Sequence, residues 1–464
     1  MSDQAPAPFI PPRPDEQPME PGTFSVLRGK FFRLFVAQFS SSLGDWTGLV
    51  AILFLAQKVS KNSGTAIGLV MTARMLPGFV LAPVGGALID RWDRRTVMVT
   101  CDIGRAGLLA LLPFFHNLFE LVLISFLIEI LTLMWSPAKD ASVPNLVDQD
   151  QLASANSLGL VAAYATFPLG AGLYAALAGL SSWLGHFHAL HVLNANQSSL
   201  AIWADGGTFL LSAWLIRHLD LPEADRHAPQ RIDWGSTYRD IVDGLQFIRT
   251  DPMVRGVMIG LAGGLLGGGA VIPLGSLLST QVLGGGASSF GLLIVALGVG
   301  AAIGVLTLLW LQRRLPRATV FWVAIVACGA SIIAAASFSS LAPAMVAGAF
   351  VGATAGTGYV TGFTVLQENV VDEMRGRIFA TLYTIVRVCL LLSLTLSPFI
   401  ANLLGNIAKH ITHNQVTLGT VHVDLPGVRL ALWLGGLITV FSGLAARMLM
   451  RRMRASSAVD GTPA

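Results

Sequence analysis

Long apolar runs separated by short polar connectors dominate the chain. A helix needs roughly 20 mostly apolar residues to cross the hydrocarbon core of a bilayer. Twelve runs meet that length, at 31–57, 65–89, 96–116, 119–138, 152–179, 199–219, 252–277, 288–312, 318–338, 341–367, 377–404 and 428–450. The pattern predicts an all-α integral membrane fold with twelve transmembrane helices. The final connector differs: Val416, Leu418, Val421 and Val423 alternate around Gly419, which predicts a small hairpin.

Composition sharpens this reading. Of 464 residues, 53% are hydrophobic and 12% charged, against about 25% charged in a soluble domain. A soluble enzyme is excluded, because too little polar surface exists to coat a particle of this size. The 49 glycines suit closely packed membrane helices. Cys101, Cys328 and Cys389 all fall in apolar runs, so no disulfide framework is expected. Residues 1–22 lack the basic start and small-residue cleavage site of a signal peptide. They read as a disordered cytoplasmic tail.

Orientation follows from the cations, because Lys and Arg favour cytoplasmic connectors. With the N-terminus inside, the inner segments hold 23 of the 30 Lys and Arg residues, including Arg28, Lys30, Arg91, Arg94, Arg95, Arg313, Arg314, Arg317, Arg375, Arg377, Arg451, Arg452 and Arg454. The outer segments hold Lys58, Lys61, Lys409 and Arg429, and Arg74, Arg105 and Arg387 lie within spans. Both termini are therefore expected in the cytoplasm of a cell-membrane protein. The net charge of +4 is spread over short connectors, so nucleic acid is not an expected partner.

The longest inner connector, 220–251, is polar and divides the chain near its middle. Tyr238, Ile241, Leu245 and Ile248 recur there at helical spacing, which predicts a helix along the membrane surface. It separates an expected six-helix bundle at 23–219 from a second at 252–454, followed by a disordered tail at 455–464. The halves repeat. Arg91, Arg94 and Thr96-Val97 match Arg314, Arg317 and Thr319-Val320 at an offset of 223. Asn145-Leu146-Val147-Asp148 matches Asn369-Val370-Val371-Asp372 at an offset of 224. Parallel six-span repeats are a transporter architecture.

The connector after the second span reads Gly86-Ala-Leu88-Ile-Asp90-Arg91-Trp-Asp93-Arg94-Arg95. It resembles the G-x-L-x-D-R-x-G-R-R signature of the major facilitator superfamily, with Asp93 in place of the second Gly. Four further stretches resemble the subgroup holding the enterobactin exporter and macrolide-efflux-like proteins: Leu43-Gly44-Asp45-Trp46, Cys101-Asp102-Ile-Gly-Arg105-Ala106, Ser142-Val-Pro144-Asn-Leu-Val and Arg375-Gly376-Arg377. The resemblance implies two pseudo-symmetric six-helix bundles that rock about a midplane site in alternating access. It also implies that Gly86, Asp90, Arg91, Arg94 and Arg95 help latch the inner side of the bundles.

A charge near the bilayer centre costs about 2.5–3.5 kcal/mol on insertion scales, so it rarely persists without a partner or a use. Asp45 lies about 18 Å and Arg74 about 22 Å above the inner ends of their consecutive antiparallel spans, at 1.5 Å per residue. Similar depth predicts a pair, read as a proton-coupling carboxylate with its counter-ion or as a static buried bridge. Asp102 and Arg105 share a face of the third span, with Glu129 at comparable depth on the fourth. These three are expected to form a separate charge cluster with a gating role.

Asp205 falls near the outer end of the sixth span. It reads as a partly hydrated residue stabilised by the helix dipole, or as a cavity residue. Arg387 is the only charge deep in the second half, a candidate counter-ion for an anionic substrate or a first-half carboxylate. Tyr164, Tyr359 and Gln367 are candidate cavity-lining residues, although most such residues only pack or hydrogen-bond between helices. His186, His188 and His191, like His410, His413 and His422, fall in outer connectors without a Cys or matching carboxylate, so they read as surface rather than a metal site. Gly263–Gly269 and Gly284–Gly286 lack the G-K-[ST] ending of a phosphate loop, so neither ATP nor any other cofactor is expected.

The expectation is a secondary transporter, most concretely a proton-coupled, monomeric exporter of small amphipathic molecules of drug or siderophore type. The competing readings are a lipid or lysolipid translocator and a non-transporting membrane sensor on the same scaffold.

Overall fold

The computed structural model describes residues 25–60, 63–89, 92–115, 117–184, 198–219, 249, 251–311, 314–370, 372–412, 415–418 and 421–459. Asp90, Arg91, Arg313, His186, His188, His191, His413, the surface-helix pattern at 238–248 and the tail at 1–22 lie outside the described residues.

Fourteen α-helices among the described residues form twelve long segments; eleven of these are long and apolar enough over their described residues to cross a membrane, and the other is the 26-residue α2. They are α1 (Phe31–Val59), α2 (Gly64–Ile89), α3 (Arg94–Leu111), α4 (Leu118–Ser142), α5 (Leu152–Tyr164), α6 (Thr166–Leu184), α7 (Ser199–Arg217), α8 (Pro252–Gly268), α9 (Val271–Gln281), α10 (Gly286–Leu311), α11 (Arg317–Ser337), α12 (Leu341–Asn369), α13 (Asp372–Thr412) and α14 (Gly427–Val459). The two surplus helices come from breaks within single crossings, and proline accounts for both. Pro168 has no N–H for the carbonyl of Tyr164, where α5 ends, and Pro273 has none for Gly269, which follows α8. The fifth crossing is thus α5 with α6, and the seventh α8 with α9.

Side-chain caps start three helices. Asp251 accepts from Met253 N at 2.7 Å and Val254 N at 3.0 Å, and Asn117 accepts from Phe119 N at 3.0 Å. Asp93 accepts from Thr96 N at 2.8 Å and Thr96 Oγ1 at 2.6 Å. The residue that departs from the signature therefore serves as the N-cap of α3, with φ of −63°, a backbone setting that does not call for glycine. α3 begins at Arg94 and α11 at Arg317, so the 223-residue offset relates helix starts. Both last crossings outrun their apolar runs: α13 spans 41 residues, and α14 continues to Val459, past the boundary expected at 454. The hairpin pairs β1 (Gln415–Leu418) with β2 (Val421–Asp424), Val416 opposite Val423 and Leu418 opposite Val421.

Within the first half α7 packs on α1 and α3, and α4 packs on α2 and α3; within the second α12 packs on α10 and α11, and α14 on α8 and α11. Small residues set the closest crossings. A Cβ on Gly352 would overlap the Leu297 carbonyl, and one on Gly300 the Ala349 carbonyl, so α10 and α12 touch backbone to backbone.

The buried core divides unevenly. On the side away from the chain ends, one continuous cluster joins residues of both halves, such as Val50, Ile67, Tyr174 and Ile202 with Leu274, Phe290, Leu394 and Leu432. On the side where α1 starts and α14 ends, the core is two separate clusters. One is built around Phe31, Met98, Trp135 and Ile216 of the first half, the other around Val257, Phe321, Ile378 and Met450 of the second. Arg94 and Arg317 start α3 and α11, Arg377 lies in the second turn of α13 and Arg451 in the last third of α14, all on this second side, the basic face. The halves thus share a core on one face and part on the basic face.

Candidate functional site

The first half holds a cavity of about 420 Å³, walled by its own helices. It runs from Phe31, at the basic end of α1, to Asp45 and Tyr164 near mid-span. Helical spacing makes two polar stripes on its wall. Gln38, Ser41, Ser42 and Asp45 come from α1, and Asn156, Leu160 and Tyr164 recur every fourth residue on α5. Cross-helix hydrogen bonds fix α5 and α6 to α1: Gln38 Nε2 donates to Gly159 O at 2.9 Å, Trp46 Nε1 to Ala163 O at 2.9 Å, and Thr47 Oγ1 to Gly170 O at 3.1 Å. Thr132, Trp135 and Lys139 of α4 complete the wall with Arg105.

Arg105 organises the charges behind this wall. It is 1% exposed, and its guanidinium hydrogen-bonds Asp102 one turn earlier on α3. Asp102 Oδ2 also accepts from Ser212 Oγ at 2.8 Å and Trp135 Nε1 at 3.3 Å. The Phe209 ring centroid lies 4.0 Å and the Trp135 centroid 5.4 Å from the Arg105 guanidinium carbon, so two aromatic faces help compensate a cation removed from water. Arg105 Nη1 lies 3.9 Å from Asp45 Oδ2.

This revises the expected pairing. Arg105, not Arg74, forms the ion pair with Asp45, and the two expected clusters are one network. Arg74 remains a charge neighbour of Asp45, Glu129 and Asp205 together. Depth along a helix located these groups, but the direction each side chain takes around its axis decided the partners. Asp205 is also corrected. It is 3% exposed rather than hydrated, does not line the cavity, and packs into α1 at Gly44 and Gly48.

The second half contributes an aromatic surface. Tyr359, Phe363 and Gln367 lie on one face of α12, and Phe379, Tyr383 and Arg387 on one face of α13, each at i, i+4 spacing. The Phe363 ring centroid lies 4.6 Å from Tyr359, 5.8 Å from Phe379 and 6.1 Å from Tyr383. Tyr164 of the first half and Tyr383 are both neighbours of Tyr359. Tyr164, Tyr359, Gln367 and Arg387 all present exposed side chains. Tyr383 and Phe363 were missed from sequence, although their four-residue spacing to Arg387 and Tyr359 was a usable signal. Of the signature residues, Gly86 has its backbone in α2, Arg94 Nη1 donates to Ala141 O at 2.7 Å, and Arg95 lies beside the Asp93 cap.

The opposite face is sealed between halves. Asn402 on α13 donates to Thr65 Oγ1 at 2.7 Å and Ser63 Oγ at 3.2 Å, and accepts from Gly64 N at 3.1 Å. Thr280 Oγ1 donates to Gln57 Oε1 at 2.9 Å. A Cβ on Gly298 of α10 would overlap the Pro168 ring of α6, and one on Gly291 would crowd Ala171 and Ala175.

The Major Facilitator Superfamily profile matches residues 34–393. The chain is 28% identical over 236 residues to the uncharacterized MFS-type transporter YfiS of Bacillus subtilis, covering 51% of this chain and 53% of that one, so it spans about half the length of this relative. It is 24% identical to the multidrug efflux pump Tap of Mycolicibacterium fortuitum over 87% of this chain and 97% of Tap. It is 26% identical to the enterobactin exporter EntS of Salmonella typhimurium over 75% of this chain and 80% of EntS. Among solved structures, a bacterial homologue of the human lysosomal transporter Spinster superposes with a TM-score of 0.68 at 15% identity, covering 91% of this chain and 98% of that one. With eleven candidate membrane spans among its described residues and a family profile that covers most of its length, the chain is a multi-pass membrane protein that belongs to the major facilitator superfamily.

Proposed function

We propose that the chain exports small amphipathic molecules in exchange for protons, by alternating access, as a monomer in the cell membrane. The observation that carries this reading is the uneven core: one shared cluster on the face away from the termini, two separate ones on the basic face. A cleft between the halves leads from the basic face to a buried charge network at mid-depth. With Lys and Arg toward the cytoplasm, the cleft faces inward, both termini are cytoplasmic, and the halves correspond to 23–219 and 252–454. Asp45 is the carboxylate at the cavity wall, Arg74 and Arg105 are its counter-ions, and Asp102 and Glu129 hold the arginines in place. Tyr164, Tyr359, Tyr383 and Phe363 offer aromatic faces to a substrate body. The names of Tap and EntS, an efflux pump and an exporter, support the direction of transport. The driving force suffices: a proton crossing 100 mV supplies about 2.3 kcal/mol, and each pH unit adds about 1.4.

A lipid-translocating reading draws on Arg387. It is exposed on the side of α13 that, three turns further along, presents Pro398 to Gly64 of α2. A headgroup entering between α2 and α13 would meet it. Counterflow in proteoliposomes separates the two readings, using radiolabelled cationic, anionic and neutral amphiphiles beside lysophospholipids. Exchange of a water-soluble amphiphile, lost in Asp45→Asn, supports the exporter. Exchange of lysophospholipid alone, or of nothing, rejects it.

A further inference from the structure

Asp45 has a second carboxyl as a charge neighbour, that of Asp205. Asp205 is 3% exposed, and its side chain enters a slot on α1. A Cβ on Gly48 would overlap Asp205 Oδ2, and one on Gly44 would crowd Asp205 Oδ1 and Thr208. Two glycines one turn apart make room for a carboxyl but offer it no donor, because their amides serve the helix. Asp205 Oδ1 is accordingly buried without a hydrogen bond among the described residues.

The other acids of the network are better served. Asp102 has three donors, Asp45 lies 3.9 Å from Arg105, and Glu129 has Arg74 as its first charge neighbour. The charged groups facing Asp205 are Asp45 from α1, Arg74 from α2, and Arg105 with Asp102 from α3; α6, also packed on α7, carries no charge. Two guanidiniums therefore serve four carboxyls. A buried carboxylate with one oxygen left without a donor is costly to keep charged, and a proton removes that cost.

We propose that Asp205 stores the transported proton, and that Asp45 passes it between Asp205 and the cavity water. This rests on the proton-driven reading above. The step is a proton transfer alone. Hydronium in the cavity gives its proton to the Asp45 carboxylate, the Asp45 O–H then breaks as the Asp205 O–H forms, and release runs in reverse. Asp45 suits the relay because its side chain is 28% exposed at the cavity wall and it is a charge neighbour of Asp205. A substrate group held against Asp45 closes the route while the proton remains on Asp205, so substrate and proton take turns.

The test is infrared spectroscopy of the full chain in lipid nanodiscs, reading the C=O band of protonated carboxyls and its shift in heavy water. Asp205→Asn copies the shape of the neutral acid, which preserves the fold. It is expected to lack one component that wild type and Asp45→Asn retain, and Asp205→Glu restores a component at a displaced frequency. In Asp45→Asn that component shifts in heavy water more slowly than in wild type. An Asp205→Asn spectrum superimposable on wild type, or loss of the component in Asp45→Asn, overturns the assignment. The measurement uses neither substrate nor gradient. If no compound moves under a pH gradient, the export reading fails, while the infrared band still decides where the proton resides.

Discussion

Asn402 donates to Thr65 Oγ1 at 2.7 Å across the seam between the two halves. The same amide reaches Ser63 and the Gly64 N–H, so one side chain on α13 holds the start of α2. These bonds exist only while that face is closed, which makes Asn402 a weight on the conformational balance rather than on the fold of either half. A net hydrogen bond contributes about 0.5–1.5 kcal/mol. Asn402→Ala should therefore shift the balance toward opening by about 1–2 kcal/mol, roughly 5- to 30-fold. Spin labels at Val59 and Lys409, one on each half, should show a larger long-distance population in the variant. An unchanged distance distribution would remove Asn402 from the seal.

Arg105 is buried against Phe209 and Trp135 and bonded to Asp102, which is fully buried. Removing one partner of such a pair costs about 3–5 kcal/mol, because the other is left charged and alone. Arg105→Ala should lower the melting temperature in detergent by many degrees, whereas Arg105→Met with Asp102→Leu should recover most of the loss. A single variant that melts like wild type would mean that the pair contributes little.

Two glycine substitutions should fail in different ways. Gly298 meets Pro168 across the seam, so Gly298→Leu should wedge the halves apart and abolish counterflow while melting stays near wild type. Gly352 meets the Leu297 carbonyl within the second half. Gly352→Ala should destabilise by about 1–3 kcal/mol, as overpacking does. Equal loss of stability in both would contradict the assignment of Gly298 to a moving interface.

Asp93, outside the spans, carries a pH dependence with a definite sign. Partial burial pushes its carboxyl up, but the hydrogen bonds from Thr96 and the charge of Arg95 outweigh this and hold it below the usual value of 3.8. A depressed folded-state value gives stability that is present above the unfolded value and lost as pH falls through the folded one. Asp93→Ala should cost about 1 kcal/mol at neutral pH, and Asp93→Gly, which restores the family signature, only a few tenths. Melting curves should show the alanine deficit shrinking below pH 3.8. A deficit that grows on acidification would rule out the cap.

How much was legible in the sequence follows from what each signal measures. Apolar runs report length, so a helix at each of the twelve runs was readable, and the alternation at Val416–Val423 gave the hairpin. The breaks at Tyr164 and Gly269 were implicit in Pro168 and Pro273, since proline removes a named bond four residues back. The charge network was half legible. Depth placed Asp45, Arg74, Asp102, Arg105 and Glu129 near one another, but depth is one coordinate of three. The Arg105–Asp45 contact depends on how α3 and α1 are turned against α7. Asp205 was misread because its environment, the Gly44 and Gly48 slot, belongs to a helix more than 150 residues away in sequence. The parting of the halves was not legible, since an apolar residue facing its own half and one facing the other look alike.

The most direct test of proton-driven export is net flux in proteoliposomes under an imposed pH gradient, with the cationic, anionic and neutral amphiphiles used for counterflow. At least one compound should accumulate uphill, with its direction reversing when the gradient is reversed, and Asp45→Asn should abolish the accumulation. Flux that ignores the sign of the gradient, or a wild-type chain that moves none of these compounds, would contradict the account.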